Sequence, residues 1–307
     1  MTERMRIGIV GTDTSHSIAF AELLNDRSHR YRVPGGEVVL AYPGGSPDFE
    51  LSRSRVAGFA EEMSRRFGVW MADRPEQVAA ECDAVLLLSA DGRVHLEQFE
   101  AVAVGGKPVF IDKPLACSLK EATAIAELAR AKSVPVMSSS ALRYAEALTK
   151  QLQGREDDRP VGVDCYAPMF MEPTQRGYFW YGIHSAEMLY AILGTGCRCV
   201  RASGSGDAET IVGVWSDGTV GTIRGSRSGG FPFAAAIARE RSSSFANIAS
   251  EEKPFYASLL EQVMEMFRTG VPAVGMSETL EIIRFVEAAN QSRENGGGPV
   301  ELEPANS

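Results

Sequence analysis

Apolar positions in the first half of the chain follow two alternating rhythms. Short, nearly unbroken apolar runs occur at 6–11 (RIGIVG), 37–42 (EVVLAY), 84–89 (AVLLLS), 108–112 (PVFID) and 135–140 (PVMSSS). Between them the spacing is helical. Ile18, Ala21 and Leu24 share one face, and Val56, Phe59, Ala60, Met63 and Phe67 recur at i, i+3, i+4, i+7 and i+11. HLEQFEAVAVGG ends in a glycine stop, and SLKEATAIAELARAK supplies a further helix. Strands that are apolar on both faces, each followed by an amphipathic helix, predict a parallel sheet covered on both sides, a doubly wound α/β domain of the Rossmann type.

From about Arg143 the rhythm changes. A helix around YAEALTKQLQG and a polar turn REDDRP precede the strands VGVDCYAPMFM, CRCVRASGS, TIVGVW and TVGTIRG. The last two are joined through Asp217-Gly218, a strong hairpin signal. Two helices follow, one carrying Phe255, Leu259, Val263 and Phe267, the other Leu280, Ile283 and Val286. The pattern predicts a C-terminal α+β domain on a mainly antiparallel sheet, with domains at 1–142 and 143–307. No internal repeat occurs, and the tail ENGGGPVELEPANS is expected to fray.

Composition narrows the partners. The 307 residues are 44% hydrophobic and 23% charged, ordinary for a globular protein, and the net charge of -9 argues against a nucleic-acid backbone as ligand. No apolar run approaches the ~18 residues of a membrane helix, and MTERMRIGIV lacks the apolar core of a signal peptide, so no membrane partner and a cytoplasmic setting are expected. Cys82, Cys117, Cys165, Cys197 and Cys199 form an odd set without CxxC spacing, which suits free thiols rather than disulfides or a metal.

The first loop, GTDTSHS, carries the first candidate chemistry. Gly11 follows the opening strand as the first glycine of a dinucleotide loop does, but Asp13 and His16 stand where two further glycines belong. A carboxylate facing a pyrophosphate repels it, so Asp13 must turn away, cap the helix or shift a cofactor outward. His16, if protonated, can complement a phosphate, and Thr12, Thr14 and Ser15 add hydroxyls. The alternative is an ordinary N-cap followed by a first-turn histidine. After the second strand the usual ribose-binding acid is missing: Glu37 is at the wrong end and Asp48 lies beyond it. Gly44, Gly45 and Ser46 with Arg53 and Arg55 leave NAD and NADP both open. No G-x-S-x-G or H-E-x-x-H occurs.

The stretch CDAVLLLSADGRVHLEQFEAVAVGGKPVFIDKPLA, with its strand, acid-Lys-Pro and helix, resembles the central part of the Gfo/Idh/MocA family (glucose-fructose oxidoreductase, inositol dehydrogenase, MocA), and YGIHSAEMLYAILG resembles its second-domain helix with a histidine. The order of elements is similar over essentially the whole chain. The resemblance implies an NAD(P)-dependent oxidoreductase moving a hydride between a nicotinamide and a small hydroxylated substrate such as a sugar, inositol or derivative. It implies Lys113 and His184 as the catalytic pair, converging on one cleft. Asp112 would hold the lysine or contact the cofactor, as Gly11, Thr12, Asp13, Ser15, His16 and Ser89 would. Arg143, Tyr144, Trp180 and Glu187 would line the substrate pocket, the first two having a structural salt bridge as the competing reading. His95 reads as a helix-start residue. The family usually has an aspartate four residues before the histidine; here Trp180 stands there, which can stack but cannot accept a proton. A homodimer or homotetramer through the C-terminal sheet is implied. Two alternatives remain: a non-redox ligand-binding or assembly protein on the same fold, and a redox-assisted glycoside-processing enzyme.

Overall fold

A computed structural model describes residues 4–155, 157–250 and 252–302. In chain order its elements are β1 (Met5–Val10), α1 (Ser15–Asn25), β2 (Gly36–Tyr42), α2 (Glu50–Phe67), β3 (Trp70–Met71), α3 (Pro75–Glu81), β4 (Ala84–Leu87), α4 (His95–Ala103), β5 (Val109–Asp112), α5 (Leu119–Lys132) and β6 (Val136–Ser139). They continue as α6 (Glu146–Leu152), β7 (Pro160–Pro168), α7 (Gly182–Leu193), β8 (Cys197–Ser205), β9 (Ala208–Trp215), β10 (Val220–Ser226), β11 (Ala234–Arg239), β12 (Ser243–Asn247), α8 (Phe255–Thr269), α9 (Met276–Glu294) and β13 (Val300–Glu301). These form two compact units. One comprises the chain up to Ser139 together with Tyr256–Met276, and the other comprises Ser140–Phe255 with the chain from Ser277. The change of rhythm suggested a single division at 142, but α8 belongs with the first unit. The ring of Tyr256 packs on His16 and Phe20 of α1 at centroid distances of 4.8 and 5.7 Å, which holds the start of α8 there.

The first unit is a six-stranded, wholly parallel sheet in the order β3-β2-β1-β4-β5-β6. The order reverses between β1 and β4, the switch point at which such sheets bind ligands beyond the carboxyl ends of their strands. Continuous burial of Ile7, Ile9, Val10 and the whole of β4 and β5 explains the unbroken apolar runs. Gly8 sits within β1 because α3 presses there: a Cβ would meet Val78 at 2.2 Å. The buried face of α1 is Ser17, Phe20, Ala21, Leu23 and Leu24, with Ile18 only half-buried. Helix α5 begins with an N-cap in which Ser118 Oγ accepts from the Glu121 amide and donates to its carboxylate at 2.9 Å.

The second unit is a seven-stranded sheet in the order β12-β11-β7-β10-β9-β8-β13; β7 and β10 run parallel and every other pair antiparallel. The Asp217-Gly218 hairpin is present, with Gly218 at φ 86 and Asp217 accepting from the Thr219 amide at 2.9 Å. Helix α7 packs on the sheet, where Gly221 leaves room for Leu189. The tail does not fray over its described part: Val300 and Glu301 pair with β8, and Leu302 is buried. The rest of the predicted loose tail lies outside the described residues. Among the described residues no helix is long and apolar enough to cross a membrane, and the five cysteines are free thiols.

A buried carboxylate ties this unit together. Glu209 of β9 is fully buried; Tyr178 donates to it at 2.7 Å, Arg293 of α9 donates twice at 3.1 Å, and Arg227 pairs with it at 3.1 Å. Removing it strands the buried Tyr178 hydroxyl and takes away one of the ties between α9 and the sheet. Glu209→Ala is expected to lower stability by about 2 kcal/mol, read as an earlier urea midpoint of the full chain; an unchanged midpoint would show the cluster to be ornamental.

Candidate active site

The loop after β1 closes inward. Gly11 has φ 91, and a Cβ there would lie 2.3 Å from the Ser89 backbone nitrogen, so only glycine passes this point. The Gly11 and Thr12 amides donate to the Tyr42 and Pro43 carbonyls at 2.9 and 2.8 Å. Thr12 is fully buried and its hydroxyl donates to the Val56 carbonyl at 3.1 Å. Asp13 is fully buried too: its carboxylate accepts from Ser52 Oγ at 2.5 Å and from the Ala90 amide at 3.0 Å. Burial pushes its carboxyl above the usual range, against the lowering effect of those two bonds. Of the three outcomes open to Asp13, turning away is the one observed. Thr12 and Asp13 therefore hold the loop from inside. Thr14, the N-cap of α1, is half-buried and Ser15 is exposed.

Beside this loop, Ser89 at the end of β4 is buried and donates to Gln98 at 2.7 Å. It packs on Gly11, and its hydroxyl points at its own domain. Arg93 clasps Asp48 through two bonds at 2.9 Å and also binds the buried Asp91. Asp48, weighed above as a distant ribose acid, is thus half of an ion pair. Arg53 pairs with Glu50 on the surface of α2. His95 does open α4, and it is fully buried, its ring bridging the Ser89 and Pro114 carbonyls at 2.9 Å each.

His16 does not reach outward. Its Nδ1 lies 2.6 Å from Asp112 Oδ2 and its Nε2 2.8 Å from the Tyr256 hydroxyl, and its ring stacks over Phe20 at 5.9 Å. The expected phosphate partner is instead a link between β5, α1 and α8. Asp112 is 5% exposed. Burial raises its carboxyl, but the charge and hydrogen bond of His16, with Lys113 beside it, outweigh this and hold it at about 2. An ionised Asp112 can only accept, so Nδ1 carries a proton; whenever the ring is neutral, its Nε2 accepts from Tyr256, and when it is charged Nε2 donates to the Tyr256 oxygen. Lys113 follows at the carboxyl end of β5, half-buried. Tyr256 was missed by sequence reasoning, since nothing local marks a helix-start tyrosine as the partner of a residue 240 positions earlier.

In the second unit, His184 lies in the first turn of α7 with Nδ1 2.7 Å from Ser140 Oγ and its ring edge-on to Tyr181 and Phe233. Ser140 is fully buried and also caps the short turn at 141–144 by accepting from the Leu142 amide. Arg143 donates to Glu187 at 2.9 Å and to Glu278 at 2.5 Å. The salt-bridge reading is the one observed for Arg143, and Glu187, at 3% exposure, is its buried partner. Burial raises the Glu187 carboxyl, while Arg143 pulls it down. Trp180 and Tyr144 are half-buried, Trp180 with its ring 6.2 Å from Tyr181. No cluster of three or more His, Cys, Asp or Glu side chains suited to a metal occurs among the described residues.

The parallel sheet with its switch point, the glycine turn leading into α1 and the inward carboxylate define a dinucleotide-binding domain, here carried with an α+β unit. Residues 5–140 match the model of the GFO_IDH_MocA oxidoreductase family, NAD-binding Rossmann fold. Over this unit the chain is similar to the Gfo/Idh/MocA oxidoreductases. No curated protein matches the chain. Among solved structures, a probable dehydrogenase from Thermotoga maritima is 19% identical with a TM-score of 0.78, covering 97% of this chain and 99% of its own. Myo-inositol dehydrogenase from Lactobacillus casei, solved with NAD(H) and myo-inositol, is 16% identical with a TM-score of 0.75, covering 99% of this chain and 98% of its own. A myo-inositol dehydrogenase from Corynebacterium glutamicum ATCC 13032 is 15% identical with a TM-score of 0.77, covering 99% of this chain and 100% of its own. At these identities the likeness shows the shared two-unit fold.

The Asp112 pairing has a pH signature. Its folded value of about 2 lies below the ordinary 3.8, so its contribution is complete above pH ~4 and is lost as pH falls through 2. That contribution is about 2 kcal/mol. In urea titrations between pH 5 and 2, Asp112→Asn is expected to lose stability more gently on acidification than the wild type; parallel curves would deny the buried ionised pair.

Proposed function

We propose that the chain is a dehydrogenase of small hydroxylated molecules, a sugar, an inositol or a derivative, using NAD or NADP, in the cytoplasm. The observation that carries this reading is Lys113 placed directly after a buried, ionised Asp112, on the sheet edge that also holds the glycine loop. The loop residues fit a dinucleotide, because the one negative charge that opposed it is turned inward and bonded. The Gly11 turn and the first amides of α1 would cradle the pyrophosphate, helped by the Thr14 and Ser15 hydroxyls and the helix dipole. Thr12, Asp13 and Ser89 hold that loop in shape from behind, and His16 holds Asp112.

Oxidation of an alcohol needs a hydride acceptor, which the nicotinamide supplies when bound. This chain supplies the proton handling. Lys113 stands against the substrate oxygen as its proton leaves, and Asp112 fixes the lysine's electrostatic surroundings. His184 is the second candidate for proton handling, its ring oriented by Ser140. Trp180 and Tyr144 offer surfaces to a ring-shaped substrate, while Arg143 and Glu187 brace each other and position the α7 start rather than bind.

Calorimetry with NAD and NADP, followed by absorbance assays of nicotinamide reduction over a panel of polyols including myo-inositol, tests this reading. Lys113→Ala is expected to cut kcat by about 10³ while dinucleotide binding persists. Absence of binding at millimolar concentration of both dinucleotides would end the proposal, and binding without turnover would favour the non-redox alternative.

The open face of the second unit's sheet is the surface proposed to pair copies of the chain. Val220 and Val214 stand opposite each other on β10 and β9 at 40% and 37% exposure, and Phe245 on β12 is 58% exposed. Light scattering is expected to give a dimer or tetramer, shifted toward monomer by Phe245→Glu; a wild-type monomer would refute the assembly.

A further inference from the structure

Three residues far apart in sequence meet in the first unit in a way that neither the dinucleotide loop nor the acid-Lys-Pro turn requires. Asp112 at the end of β5, His16 in the first turn of α1 and Tyr256 in the first turn of α8 are joined by two hydrogen bonds of 2.6 and 2.8 Å that use both nitrogens of one imidazole. The ring cannot easily turn: it lies over Phe20 at 5.9 Å and against the Tyr256 ring at 4.8 Å, and the side chains of His16 and Asp112 are 13% and 7% exposed. Tyr256 is the half-buried end of the chain of groups.

We propose that Tyr256, His16 and Asp112 form one proton line, in which the Tyr256 oxygen takes a proton from a substrate hydroxyl and His16 receives the tyrosine's own. The direction follows from the donor inventory. Asp112 accepts from Nδ1–H, so the neutral ring presents its Nε2 lone pair to the Tyr256 O–H. When a hydroxyl proton moves to the phenolic oxygen, the Tyr256 O–H bond breaks and an Nε2–H bond forms. The result is an imidazolium against the Asp112 carboxylate, with the tyrosine neutral again. The accompanying hydride goes to the nicotinamide dinucleotide of the reading above, on which this use of the line rests. In the reverse direction the same groups return the proton to a carbonyl oxygen. Among the described residues the titratable and charged groups seen against the ring are Asp112, with Lys113 beside it, from the end of β5 and Tyr256 from α8; on α1 the ring stacks over Phe20.

Tyr256 is accordingly assigned an acid–base role, and His16 and Asp112 act through it. Lys113 is left to steady the substrate oxygen as charge develops there, a division of labour in which one group moves the proton and another meets the charge.

The test uses the full chain with ¹⁵N-labelled histidine, and the variants Tyr256→Phe and Asp112→Asn. Phenylalanine keeps the packing on Phe20 while removing the hydroxyl, and thermal unfolding checks that the variant is folded. In the wild type, the neutral form of His16 is expected as the Nδ1-protonated tautomer. Its titration should move by about half a pH unit or more in Tyr256→Phe, and its tautomer preference should be lost in Asp112→Asn, with His29 and His184 unmoved. An Nε2-protonated His16, or a titration identical in Tyr256→Phe, overturns the line. With NAD and myo-inositol or whichever panel polyol is oxidised, Tyr256→Phe is expected to lower kcat about 10²-fold with KM little changed and to move the acid limb of the pH profile; an unaltered kcat and profile overturn it as well. A coupled His16–Tyr256 titration in a protein that oxidises no polyol supports the line and overturns only the dehydrogenase reading.

Discussion

A carboxylate at the end of a parallel strand, almost wholly removed from water, keeps its charge only if a donor stands against it. Asp112 is that carboxylate, and the hydrogen bond from His16 at 2.6 Å, with Lys113 beside it, is what makes its charge tolerable. Much of the first unit's detail follows from it. The third glycine position of a dinucleotide loop ordinarily needs a small residue for close helix packing. Here an imidazole occupies it because Asp112 must be met from α1. The ring's second nitrogen then needs a partner, and Tyr256 provides one, which draws the start of α8 onto the first unit.

Asp13 obeys the same rule on the other side of the loop. A carboxylate in place of the second glycine opposes pyrophosphate only if it faces outward. Two donors, the Ser52 hydroxyl and the Ala90 amide, hold it inward, and the Ser52 oxygen in turn accepts from the Ser46 amide. The loop therefore exchanges the backbone room that glycines leave for side chains that lash β1 to α2 and to the turn after β4. Both departures from the glycine fingerprint are internal ties, and the outer face of the turn keeps the hydroxyls and helix amides that an anion uses.

The parallel sheet was legible because each central strand is buried on both faces and therefore apolar throughout, and the hairpin because Asp217-Gly218 is a local signal. What escaped was either too short to show a period, as with the two-residue β3 and β13, or weakly apolar, as with the small-residue strand β11 and the serine-rich β12. Helix α3 did carry a start signal, proline in its first turn, but only seven residues to support it. At the site, Asp112 and Lys113 could be read because one strand places them together. The partner of His16 could not be read, being 96 residues away in one direction and 240 in the other. Arg143 had two readings in sequence, and its guanidinium stands between the carboxylates of Glu187 and Glu278, a contact 44 and 135 residues away that no local pattern marks.

The tryptophan at 180 removes a carboxylate that the family resemblance leads one to expect near His184, and the chemistry of the replacement is specific. A carboxylate beside an imidazole favours the charged ring. Ser140, whose hydroxyl can donate or accept, orients His184 without imposing a charge on it, and the Leu142 amide bonded to the same oxygen fixes where that hydroxyl lies. His16, by contrast, has the Asp112 carboxylate directly against its ring.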